Sequence, residues 1–188
     1  MEDGDKPSSS SQGPGSQLFD KVPPNIRDVV TDYVAVAKSL LFAPIVFYRG
    51  MDKKGGMKHA VIFFVTSSAV GSIIAGVVGL NPLSIPKTLG LSIILTFAAS
   101  AIAFGLCKAM GAKGSFEATF KVFAYSSCLK IFSAIPILNL LAIFWTAALN
   151  FYGLKEVHQL GTVKTASVIF LTSLLLTLLE IGHYLHLI

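Results

Sequence analysis

Between Val61 and Leu80 the chain carries no charged side chain, and Ile, Val, Phe, Ala and Gly make up most of the run. About twenty residues at about 1.5 Å each cross a hydrocarbon core of about 30 Å. A helix buried inside a soluble protein can be equally apolar. Similar runs recur along this chain, however, and the recurrence makes residues 60–80 a first transmembrane span. A cationic collar of Arg49, Lys53, Lys54 and Lys58 precedes it.

Only 13% of the 188 residues are charged, about half the share in globular chains, and the mean hydropathy is +0.70. The segment before Lys58 is too short and too poor in apolar side chains to build a core of its own. The net charge of +5 would suit a polyanion, but the basic residues sit at span ends, where they set topology. Nucleic acid is therefore not an expected partner. The two cysteines, Cys107 and Cys128, lie in apolar surroundings and read as packing residues.

Residues 1–24 are rich in Ser, Gly and Pro and read as a disordered cytoplasmic tail. They lack the basic start and apolar run of a signal peptide. From Asn25 the apolar residues Ile26, Val29, Val30, Tyr33, Val36, Ala37, Leu40 and Leu41 recur at helical spacing. Pro44 should end or kink this amphipathic helix. It either lies in the membrane interface or packs on the cytoplasmic face of the bundle. Phe42, Phe47 and Tyr48, with Arg49, Lys53 and Lys54, form an expected interfacial anchor at headgroup depth. Residues 25–58 thus make a helix and collar, and 59–188 a membrane domain.

Span one carries two rows of small residues, Ser67, Gly71, Ala75 and Gly79 beside Ser68, Ser72 and Gly76. Such a face admits another helix closely. Span two covers about 88–107. Segment three, 116–135, is the least apolar, with Lys121, Tyr125, Ser126, Ser127, Lys130 and Ser133. A helix this polar faces the bundle interior, snorkels its lysines, or fails to cross. Pro136 breaks it. Segment four, 137–154, forms with it either a crossing hairpin or a re-entrant pair, and span five covers 165–186. The class is all-α: a polytopic membrane protein of five transmembrane helices with an N-terminal interfacial amphipathic helix. The N-terminal flank and the loops at Lys108–Lys113 and Lys155–Lys164 are basic, while the alternate turns are nearly neutral. That places the N-terminus in the cytoplasm and the C-terminus outside.

No nucleotide-binding glycine motif occurs. Glu180 and His183 are one turn apart on span five, near His186, a spacing seen in di-iron bundles. The other spans offer no matching carboxylates, so no metal and no cofactor is expected. Lys130 lies about 21 Å along segment three and Glu180 about 22 Å along span five. A lone charge at that depth costs about 2.5 kcal/mol or more, so an intramembrane ion pair of Lys130 with Glu180 is expected. Its rival has Lys130 snorkelling and Glu180 protonated or hydrated. His59, His158, Glu117 and Glu156 read as solvated or interfacial groups at segment ends.

Three groups of residues carry a resemblance. Pro44, Phe47, Tyr48, Arg49, Gly50 and Met51 precede Gly55, Gly56 and span one; Tyr125, Ser126 and Ser127 stand in segment three. Trp145 is followed by Gly153, Leu154, Lys155, Val157, His158, Lys164 and Ala166. In order and spacing these resemble the Yip (Ypt-interacting protein) domain family of five-span membrane proteins, over about 42–188. The resemblance implies a non-enzymatic integral membrane protein. Eukaryotic relatives act in trafficking and associate with Rab GTPases and one another. This chain lacks their longer N-terminal region with its Asp-Leu-Tyr-Gly-Pro type motif. It looks more like the prokaryotic branch, so GTPase binding is not carried over and a bacterial inner membrane is the expected location. The expected role is a scaffold or organiser whose partners are membrane lipids, further copies of itself or other membrane proteins. The alternatives are a small-solute or ion transporter using Lys130 and Glu180, and an accessory subunit of a larger complex.

Overall fold

The computed structural model describes residues 26–53, 56–79 and 83–186; the side chains of 26–30, 32, 84, 133, 134, 136 and 180–186 fall outside the description. The expected tail, Lys54 and the side chains of Glu180, His183 and His186 therefore lie outside it. Within the described residues every regular element is a helix: α1 Ile26–Phe42, α2 Pro44–Gly50, α3 Lys58–Val78 and α4 Ser84–Ala109. These are followed by α5 Phe116–Ser126, a 3-10 helix Ser127–Ala134, α6 Pro136–His158 and α7 Thr162–His186. Helices α3, α4, α6 and α7 are each long and apolar enough to cross a membrane; counting the bent pair α1–α2 as one span would make five.

The third segment is the broken one. Ser115 caps α5 by accepting from the Ala118 N–H at 3.2 Å, and Glu117 stands in the first turn, where a carboxylate suits the helix dipole. Ser126 and Ser127 then turn their hydroxyls onto the carbonyls three residues back, at 2.9 and 2.6 Å. Side-chain competition of this kind goes with the tighter winding that follows. Eleven α-helical and eight 3-10 residues give about 16 Å plus about 16 Å laid end to end. That suffices to cross. Helix α6, with Pro136 in its first turn, runs 23 residues to the end where the third segment began. Segments three and four thus pack against each other as a helical hairpin with its turn at the far end of the bundle.

Burial explains how so polar a segment is tolerated. From Ala118 to Leu129 every residue except Phe123 is buried, and the segment packs against α3, α4 and α6. It is the hub of the bundle, while the lipid-facing positions Ile73, Ile94, Phe144 and Phe170 belong to the long helices around it. The small-residue rows of α3 face it. Ser67, Ser68, Gly71, Ser72 and Gly76 are buried, and a Cβ on Gly71 would come within 2.9 Å of the Lys130 carbonyl oxygen. Ala75 is half-buried and Gly79 exposed, at the end of the contact.

The amphipathic helix forms, and its described apolar face is turned to the bundle. Val36 and Leu40 are fully buried; Tyr33 stacks on Phe63 at 4.7 Å and hydrogen-bonds Ser67 at 3.0 Å. Of the three aromatics expected at headgroup depth, Phe42 is 81% exposed, but Phe47 and Tyr48 are buried in the core. Phe47 meets Tyr125 edge-on at 5.2 Å, and Tyr125 meets Phe63 at 5.2 Å. Their rings therefore join α2 to α5 and α3. Pro44 breaks the chain where expected, and α2 turns away from α1 by 120°.

Candidate functional site

Two polar assemblies stand out, one at the end of the bundle and one within it. At the basic end, the loop after α2 is tied to α5 and α6. Arg49 donates to Glu156 at 3.1 Å, and Lys53 donates to the Glu156 carbonyl at 3.3 Å. Lys121, buried although charged, donates to the Asp52 carbonyl at 2.9 Å and pairs with Glu117 at 3.2 Å. Glu117 and Glu156 are thus engaged in ion pairs, where solvated positions were expected. The Arg49 guanidinium is largely exposed, so water screens its pair and the contact orients more than it stabilises. Tyr48 lies against Gly153: a Cβ there would stand 3.0 Å from the Tyr48 ring and 2.5 Å from a Val122 methyl. Only glycine leaves room.

His158 was expected to be solvated or interfacial and is instead 1% exposed. Its Nε2 lies 2.7 Å from Thr119 Oγ1, and that hydroxyl also donates to the Ser115 carbonyl at 3.0 Å. With the Thr119 proton committed to the carbonyl, Nε2 is the donor and Nδ1 carries the lone pair. Nδ1 is buried with no hydrogen-bond partner, against Gly114, where a Cβ would come 2.6 Å from Cε1. Glycine at 114 makes the burial possible. Lys164 Nζ donates to the Met110 carbonyl at 3.2 Å, so the three basic stretches of sequence gather at one end.

Inside the bundle, Lys130 reaches between α3 and α4. Its ammonium donates to Ser92 Oγ, lies 3.4 Å from Ser68 Oγ and 3.5 Å from Thr96 Oγ1, and sits 4.8 Å above the Phe64 ring. Sequence reasoning overlooked Ser92 and Thr96. Their signal was the four-residue row Thr88, Ser92, Thr96 and Ser100 on α4, which puts hydroxyls on one helix face. A cavity of about 380 Å³ runs beside Lys130 between α3, α4 and the third segment. A second, of about 390 Å³, lies towards α6 and α7, and both are lined by Phe123, Lys130, Thr146 and Asn150. Asn150 Oδ1 and Thr172 Oγ1, around the second cavity, are buried without a hydrogen-bond partner. Among the described residues no group of three His, Cys, Asp or Glu side chains forms a metal-binding cluster.

No curated protein and no solved structure matches the chain. The family model of the Yip1 domain matches residues 38–181.

Proposed function

Because the chain belongs to the Yip1 domain family, a family of non-enzymatic membrane proteins, we propose that it works as a multi-pass membrane scaffold that organises partners through its basic end. The observation carrying this reading is where the motif residues go. Tyr48, Arg49 and Gly153, with Glu156 as the partner of Arg49, hold α2 and its loop to α6, away from the cavities around Lys130. What they support is an ordered rim on which Lys108, Lys113 and Lys164 stand exposed. Purification in mild detergent, followed by mass spectrometry, should recover a partner in fixed stoichiometry. Arg49→Glu should weaken that recovery, and the exchange Arg49→Glu with Glu156→Arg should restore it. If only substoichiometric proteins are recovered, the scaffold reading fails.

The gathering of basic loops at one end supports placing that end, with the N-terminus, in the cytoplasm and the C-terminus outside, and the resemblance to the prokaryotic branch supports a bacterial inner membrane. A reporter fused after Ile188 should be active on the extracytoplasmic side. A cytoplasmic signal reverses the assignment.

The cavities meeting at Lys130 favour the transporter as the second reading. Solute uptake into proteoliposomes that disappears with Lys130→Met would put it first. The ion pair of Lys130 with Glu180 remains part of both readings. Leu176 lines the second cavity together with Lys130, and Glu180 follows Leu176 by four residues on α7, the spacing that returns a helix to the same face.

A further inference from the structure

The bent pair α1–α2 neither crosses the bundle nor stays at its end. Heights along the bundle follow from the helix rise of about 1.5 Å per residue, counted from the basic end. Tyr33 touches Phe63 and Ser67, which stand about 8 and 14 Å up α3. Leu41 and Phe42 line an apolar groove whose other walls run from Leu129 and Trp145, about 20 Å up, to Leu138, about 30 Å up. Arg49 is back beside Glu156, about 3 Å from the end of α6. The chain therefore slants inward to about mid-membrane, turns by 120° and returns.

The turn keeps part of its backbone bonded. The Ala43 N–H donates to the Ser39 carbonyl at 2.9 Å, and the Phe47 N–H donates to the Ala43 carbonyl at 3.0 Å. Pro44 has no N–H to satisfy. The Ser39 hydroxyl is bonded to the Ala35 carbonyl at 2.9 Å. Backbone polar groups inside a bilayer need partners of this kind. The outward face is apolar: Val34, Phe42, Ile45 and Val46 are all exposed. Lys38 is the cation on that stretch, and its stem is long enough to reach back towards headgroups.

Among the described residues, seven helical segments (α1 to α7) thus occupy the half of the bundle at the basic end. Five (α3, α4, the 3-10 helix, α6 and α7) occupy the other half. We propose that α1–α2 is a wedge in the leaflet at the basic end, and that it makes the protein favour bilayers that are convex on that side. Helices inserted into one leaflet bind with a sensitivity to curvature, because they fill area that bending opens. This inference does not depend on the scaffold reading.

Two measurements test it on the full-length protein in phosphatidylcholine vesicles. A dye on Phe42→Cys, with unsubstituted protein as the control for Cys107 and Cys128, should be quenched more by a mid-chain quencher than by a headgroup quencher. Stronger headgroup quenching, or labelling of the cysteine by a membrane-impermeant reagent, overturns the wedge. The second measurement sorts molecules by orientation. Impermeant dye on Lys113→Cys marks those with the basic end outward, and on Leu83→Cys those facing the other way. The first population should be several-fold denser per unit area on narrow vesicles than on wide ones, and the second depleted from narrow vesicles. Equal densities, or the same sign in both populations, overturn the proposal.

Discussion

Adding one methyl group at Gly71 is expected to lower the melting temperature of the detergent-solubilised protein clearly, whereas the same change at Gly105 leaves it unchanged or raises it. The Gly71 Cβ would stand 2.9 Å from the Lys130 carbonyl oxygen, 3.1 Å from its carbon and 3.2 Å from its Cβ. Two of those atoms are backbone of the 3-10 helix, which cannot swing aside as a side-chain tip can. Either α3 or the third segment must shift, and forced overpacking costs about 1–3 kcal/mol. Gly71→Leu should cost more and promote aggregation, since the helices around the hub would lose their closest contact. At Gly105 nothing lies within 4 Å of the added carbon. There alanine only removes the conformational freedom of a helical glycine, a gain of about 0.5–1 kcal/mol. Equal behaviour of the two variants would mean that α3 and the third segment are not in contact.

The contrast also shows what the sequence could reveal. Gly71 belongs to a visible row of small residues, and that row meets another helix. The long uncharged runs of α3, α4, α6 and α7 announce their spans because no other use of such segments is economical in a chain this poor in charge. Less was visible for the third segment. Its serines and lysines fit an inward-facing, a snorkelling or an incomplete helix equally well, and the switch to 3-10 winding depends on where the Ser126 and Ser127 hydroxyls turn. Helical spacing identified Tyr33, Val36 and Leu40 as one face. It gave no sign that Phe47 and Tyr48 pack on Tyr125 and Gly153, because apolar rings suit core and interface alike. The burial of His158 was hidden for another reason. It requires Gly114 and Thr119, some forty residues away in sequence, and only the fold brings them together.

Replacing Lys130 and Glu180 is expected to reveal how the deepest cation is balanced. Three hydroxyls and a phenyl face surround the Lys130 ammonium in the structure. These four groups are neutral and solvate the charge. In hydrocarbon, where a lone charge costs at least about 2.5 kcal/mol, a carboxylate one turn beyond Leu176 is the better counterpart. If the two pair, Lys130→Met or Glu180→Leu alone strands a charge, at a cost of about 3–5 kcal/mol. The double variant should recover most of that loss, since an apolar replacement of a whole buried pair is often near neutral. A parallel cycle separates the hydroxyls. Ser92→Ala with Thr96→Val removes two acceptors, and adding Lys130→Met to that background should return a smaller coupling, about 1.5–3 kcal/mol for hydrogen bonds to a charged group. Hydroxyls released by Lys130→Met can bond carbonyls of their own helix, as Ser67 and Ser100 do at 2.8 and 2.7 Å, which limits their share. Thermal melts of the single and combined variants in one detergent give both couplings. Strong coupling to Ser92 and Thr96 with none to Glu180 would show that the hydroxyls alone hold Lys130 and that the ion pair does not form.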